Sequence, residues 1–153
     1  MHEMINPFVE GTLQMMGSMF GLDCQVVAVD AKLDPEPTIY GTIKLLGNAE
    51  GHITLSLHHT DGKQLVAAML GLEDNEVDED MIKDGLGEMA NMIAGFARSV
   101  LSSEDVQVEI GLPEIGDAPP DSHEHVIHRK FESDLGAFHL TLELASAGQM
   151  SPA

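Results

Sequence analysis

The chain has 153 residues, 43% of them apolar, which suits one domain with a real core and excludes global disorder. Its 26 acidic residues against 7 basic ones give a formal net charge of -19, which disfavours nucleic acid and anionic membrane surfaces as partners. Cys24 is the only cysteine, so an internal disulfide is excluded, and no run approaches 18 consecutive apolar residues, so no membrane span is expected. The first residues lack a basic region followed by an apolar run, so no signal peptide is expected and the cytoplasm is the expected location.

The first element runs from Asn6-Pro7-Phe8 to about Phe20. Asn6 is a candidate N-cap, Pro7 suits the first helical position, and Gly21 suits the left-handed C-terminal position. Gln25 to Val29 is β-rich, and Asp34-Pro35-Glu36-Pro37 breaks the chain into a loop. Thr38 to Leu46 and His52 to Leu57 alternate in polarity about the turn at Gly47 to Gly51, which predicts a hairpin of half-buried strands. Thr60 or Asp61 is expected to cap a helix that Gly71 closes. The tract from Glu73 to Asp80 holds six acidic residues in eight, read as a solvated linker that caps the next helix.

That helix is predicted from about Asp78 to Ser102. Ile82, Leu86, Met89, Ile93, Phe96, Ala97 and Val100 recur at three- and four-residue steps, the apolar stripe of a core helix. Asp84, Glu88, Asn91, Gly95 and Arg98 recur at the same steps on another face. Gly85, Gly87 and Gly95 each weaken a helix by about 1 kcal/mol relative to alanine, which suggests close approach to its backbone. Strands are expected at Val106 to Leu112, ended by Pro113, then at His125 to Phe131 and Leu135 to Leu144, with Gly116 to Pro120 a loop. Ser146 to Ala153 is expected to be a loose tail after a single domain spanning residues 1–145.

The order is α-β-β-β-α-α-β-β-β, an α/β (α+β) class with a mixed sheet and helices packed on it. A helix followed by three strands occurs twice. Glu3-Met-Ile-Asn6 aligns with Glu88-Met-Ala-Asn91, which suggests a degenerate internal repeat. Glu3 and Asn6 are therefore a candidate second pair, although Asn6 before Pro7 also reads as a cap. The Met set (Met15, Met16, Met19, Met69, Met81, Met89, Met92) reads mainly as core. His123, His125 and His128 form a short tract for which metal binding is the sharp alternative to a polar strand edge.

The pattern Asp84-x-x-x-Glu88-x-x-Asn91, with Pro113 standing 22 positions after Asn91, resembles the signature of the CheC/CheX/FliY family of chemotaxis phosphatases. Ile5-Asn6-Pro7-Phe8, Gly51-His-Ile-Thr-Leu-Ser-Leu57, Ala67-Ala-Met-Leu-Gly71 and Gly87-Glu-Met-Ala-Asn-Met-Ile-Ala-Gly95 resemble its CheX branch at similar separations. The resemblance implies a three-layer CheC-like fold and a homodimer joined through edge strands. It implies removal of the phosphoryl group from the aspartate of a phosphorylated CheY-type receiver. Glu88 would contact the receiver's active-site lysine, and Asn91 would hold the attacking water. Asp84 would orient the motif or touch the partner, with Gly95 leaving room for it. The protein would need no cofactor of its own, because the Mg2+ belongs to the receiver. The alternative is a CheX-like module that docks on a receiver or adaptor without hydrolysing anything.

Overall fold

The computed structural model describes residues 2–29, 36–121 and 125–145. The expected tail, His123 and the first half of the Asp34 to Pro37 breaker (Asp34 and Pro35) lie outside them. The chain enters through a tight helical turn, His2–Ile5, and continues into α1 (Asn6–Met15). This turn displaces the expected cap. Ile5 holds the N-cap position, while Asn6 is already in the first turn and exposed. The helix runs on through a wider π turn, Met16–Phe20, and ends at Gly21 with φ +66°.

β1 (Gln25–Val29), β2 (Ile39–Gly47) and β3 (Gly51–Leu57) follow. Next come α2 (His59–Leu70), α3 (Glu79–Ser103), β4 (Val108–Ile110), β5 (Glu114–Gly116), β6 (His125–Ser133) and β7 (Gly136–Leu144). α2 starts at least two residues earlier than expected: the Thr60 N–H donates to His58 Nδ1, so His58 is the cap rather than Thr60 or Asp61. Gly71 ends α2 in the left-handed region, as expected. β5 is the strand absent from the sequence reading. It has three residues and overlaps the expected loop at Gly116.

The sheet order is β1-β6-β7-β3-β2-β4, with β5 also paired to β2. The expectation of a mixed sheet is corrected: every pairing among the described residues is antiparallel. The reason is that neighbours join by hairpins (β2–β3, β6–β7) or by crossing connections that reverse direction. The internal repeat is visible in the order itself. Exchanging β1 with β4, β2 with β6 and β3 with β7 turns the order into its own reverse. Each half lends its first strand to the other half's edge, β1 to β6 and β4 to β2. The first helices of the two halves, α1 and α3, pack on each other.

One face of the sheet is apolar. Ile39, Ile43 and Leu45 of β2, Ile53, Leu55 and Leu57 of β3, and Phe138, Leu140, Leu142 and Leu144 of β7 are buried there. Phe131 stacks on Phe138 with ring centroids 5.2 Å apart. α2 and α3 lie on this face, since a Cβ at Gly62 would meet Leu57 and one at Gly41 would meet Leu86 of α3. The opposite face of β3 and β7 carries His52, Thr54, Ser56, His139, Thr141 and Glu143, and these are buried too. The expectation of a half-buried β3 is thus corrected. Described residues of the connections before β2 and after β5 reach this face: the Pro37 carbonyl accepts from Tyr40 Oη, and the Asp121 carbonyl from His52 Nε2 at 3.2 Å. Helices, sheet and these segments make the three layers.

Candidate functional site

α3 begins where carboxylates meet free N–H groups. The Glu73 N–H donates to Glu76 Oε1 in a capping box just upstream, and Asp78 Oδ1 accepts from the Met81 N–H at 2.9 Å. The acidic tract therefore caps, as its composition implies. The first turn is also clamped sideways, which the sequence did not suggest. His59 of α2 holds Thr38 Oγ1 at 2.6 Å through Nδ1 and Glu79 Oε1 at 2.8 Å through Nε2. The start of β2, the start of α2 and the start of α3 are joined by one imidazole.

The apolar stripe of α3 is buried as predicted at Ile82, Leu86, Met89, Ile93 and Ala97, while Phe96 and Val100 are half-buried at the margin. α1 seals one flank of α3. A Cβ at Gly11 would stand 3.0 Å from the Ile93 carbonyl and 3.2 Å from Phe96, so a side chain there would force the two helices apart by a few tenths of an ångström. The helix is a rigid mount, held along its back and at its first turn.

The other face is open. Asp84, Glu88 and Asn91 are exposed and carry no hydrogen bond or ion pair among the described residues. Steps of four and three residues set them on one ridge. Gly87 lies between Asp84 and Asn91 on that ridge, and the Pro113 ring lies against it, 3.5 Å from where a Cβ would stand. Pro113 is thus part of this surface. Met92 is exposed beside Asn91, unlike the buried Met15, Met16 and Met89. Arg98 leans away, with its guanidinium 3.4 Å from Glu109 of β4.

The three glycines divide. A Cβ at Gly85 would meet Val66 Cγ2 of α2 at 2.6 Å, so that glycine serves internal packing, and the expectation of outside approach is corrected there. Gly87 admits Pro113. At Gly95 nothing lies within 4 Å, so that position alone leaves space for another molecule.

The remaining candidates do not join the site. Asn6 is exposed on α1, and the side chain of Glu3 lies outside the described residues. His125 and His128 face opposite sides of the sheet, being paired with Leu144 and Thr141. No group of three or more His, Cys, Asp or Glu able to hold a metal occurs among the described residues. Cys24 is half-buried, and burial followed by the charge of Asp23 pushes its thiol up. No described helix is long and apolar enough to cross a membrane.

Several solved structures share this fold. CheX from Desulfovibrio desulfuricans is 26% identical, with a TM-score of 0.74 over 93% of this chain and 99% of that one. A CheC-like protein from Shewanella sp. PV-4 is 21% identical with a TM-score of 0.80, over 94% and 98%. CheX from Borrelia burgdorferi, in a complex with CheY, BeF3 and Mg2+, is 15% identical with a TM-score of 0.77, over 93% and 97%. No curated protein matches the chain. The family model for the chemotaxis phosphatase CheX matches residues 39–125, more than half of the chain, a span holding the Asp84–Asn91 ridge and Pro113. With the fold and the ridge both in place, this chain belongs to the CheX family.

Proposed function

We propose that this protein hydrolyses the phospho-aspartate of a CheY-type response-regulator receiver, with Asn91 as the catalytic residue and Glu88 as its docking companion. The observation that carries this reading is the exposed Asp84–Glu88–Asn91 ridge on a helix whose opposite, apolar face is packed into the core. An acyl phosphate already has a good leaving group, and the receiver brings Mg2+ and a lysine. What remains is to fix a water in line with the phosphorus. The carboxamide of Asn91 can accept one hydrogen bond from that water and donate others to the phosphoryl oxygens. Holding the nucleophile is the main contribution a protein makes to phosphoryl transfer. Glu88, one turn away, would pair with the receiver's lysine, and Asp84 would touch the partner at the rim. This chain supplies no metal. A cytoplasmic receiver as substrate would place the protein in the cytoplasm.

The same reading includes a homodimer through β1. The two edges of the sheet differ: β4 and β5 are short and separated by Pro113, whereas β1 is regular, with Val26 and Val27 38% and 41% exposed. An unbroken apolar edge free of charge is the one that accepts a second strand. In a phospho-receiver assay, Asn91→Ala is expected to lose stimulated dephosphorylation with its circular dichroism unchanged, and Glu88→Ala to weaken receiver binding. A wild-type rate from Asn91→Ala would refute the assignment. A wild type that binds the phospho-receiver without speeding its decay would favour the non-catalytic docking module.

A further inference from the structure

We propose that Leu112 is an apolar anchor for the receiver, set at the rim of the Asn91 ridge by a bulge in the sheet edge; this rests on the function proposed above. The edge formed by β4 and β5 is one strand interrupted. Ile110 pairs with Leu45 and Glu114 pairs with Thr42. β2 advances three residues between these pairs while the edge advances four, so the edge carries one extra residue. Such bulges bend a strand and re-aim its side chains, and they gather at sheet edges beside functional sites. Here the Gly111 N–H donates to the Lys44 carbonyl at 3.0 Å, which holds one side of the bulge. Pro113 has no N–H to give.

The residue thrown outward is Leu112, 85% exposed and the most exposed large apolar side chain among the described residues. A lone exposed leucine is ordinary on a protein surface. This one is fixed by its neighbour. The Pro113 ring lies against Gly87, which stands three residues after Asp84 and four before Asn91 on the same ridge. The bulge therefore holds Leu112 on the border of the surface that the proposed function assigns to the receiver. The elements that meet at this border carry exposed acidic side chains: Asp84 and Glu88 on α3 and Glu114, two residues on, in β5. An apolar knob within a carboxylate rim fits a partner offering a small apolar depression beside a cation. The lysine beside a receiver's phosphorylation site meets the second requirement. Burying a leucine there would strengthen binding without touching the reacting atoms, so Leu112 acts on recognition rather than on chemistry.

The test uses the full chain and the CheY-type receivers of its source organism, loaded with beryllofluoride and Mg2+ for binding and phosphorylated for turnover. Leu112→Asp is expected to raise Kd and KM about tenfold or more while leaving kcat within about twofold. Leu112→Met, which keeps an apolar side chain of similar volume, is expected to restore both. Thermal unfolding reports whether either variant disturbs the fold. Receiver binding by Leu112→Asp within twofold of wild type would overturn the anchor. If Asn91→Ala has meanwhile lost hydrolysis, the proposed function stands without the anchor. A wild-type rate from Asn91→Ala instead refutes the function, whatever Leu112 does. A change of oligomeric state in Leu112→Asp, with receiver binding unchanged, would assign the residue to a second copy of this chain and equally overturn the proposal.

Discussion

The two halves of this molecule share one topology and put it to different uses. α1 and α3 are counterparts, each opening a helix-and-strand unit, with β5 an extra short strand in the second, and they meet where Gly11 touches the Ile93 backbone. Yet α1 has 10 residues before it widens into a π turn, while α3 has 25, a side-chain cap and a clamp at its start. Both present an exposed asparagine, Asn6 and Asn91. Only Asn91 sits mid-helix, on a ridge with a proline docked beside it. On the proposed function, the difference between the two asparagines is the mount rather than the motif residue. A carboxamide that must hold a water within tenths of an ångström needs a helix that cannot shift under it.

The comparison is broken most sharply by exchanging the asparagines. Asn91→Ala should slow stimulated dephosphorylation by about 100-fold or more, the scale of a lost positioning group. Asn6→Ala should leave the rate unchanged and alter stability by less than about 0.5 kcal/mol, because Asn6 is exposed and caps nothing. An effect of Asn6→Ala on rate would show that the first half is active as well.

The glycines sharpen the contrast between packing and access. Gly85→Ala would drive a methyl group into Val66 and Met69, so a loss of about 1 to 3 kcal/mol is expected in urea unfolding. Gly95→Ala meets nothing within 4 Å and should stabilise the helix by up to about 1 kcal/mol. Its methyl would occupy the gap left for the partner, so receiver affinity is expected to fall while stability rises. The opposite signs separate the two roles on one helix.

The two edges of the sheet give a further contrast. Val27→Lys on β1 should convert the proposed dimer to monomers in sedimentation while leaving the fold intact, because the edge gains a charge that repels a second strand. The smallest expected effect concerns the polar face. His128 donates to or accepts from Thr141 at 2.9 Å, and burial lowers its pKa, partly offset by the charge of Glu143. The folded state therefore holds His128 neutral where the unfolded chain would already protonate it. Its share of stability is present above about pH 6.5 and is lost as pH falls through its depressed value. A shallow fall of Tm below about pH 6.5, flattened in His128→Gln, is expected.

Much of this was legible in the chain. Gly21, Gly71 and Asp78 marked helix ends by local chemistry, and the strand runs of β2 and β3 declared themselves by alternation. The ridge of α3 could be read because its spacing is local to one helix. What escaped depends on distant neighbours. Gly85 looked like a place for a partner because the approach of α2 is invisible in sequence. The polar positions of β3, His52 among them, looked like a solvent face because nothing local shows that other segments reach over them. Asn6 looked like a cap because the helical turn at His2–Ile5 lies upstream of the usual signal. Leu112 was absorbed into a strand because a one-residue bulge appears only when the register of both strands is known.

The measurement that reaches the central claim most directly is single-turnover decay of a phosphorylated receiver at saturating concentrations of this protein. Wild type should accelerate the decay, and Asn91→Ala, saturating the same receiver, should leave it at the receiver's own rate. Acceleration by Asn91→Ala equal to that of wild type would contradict the account.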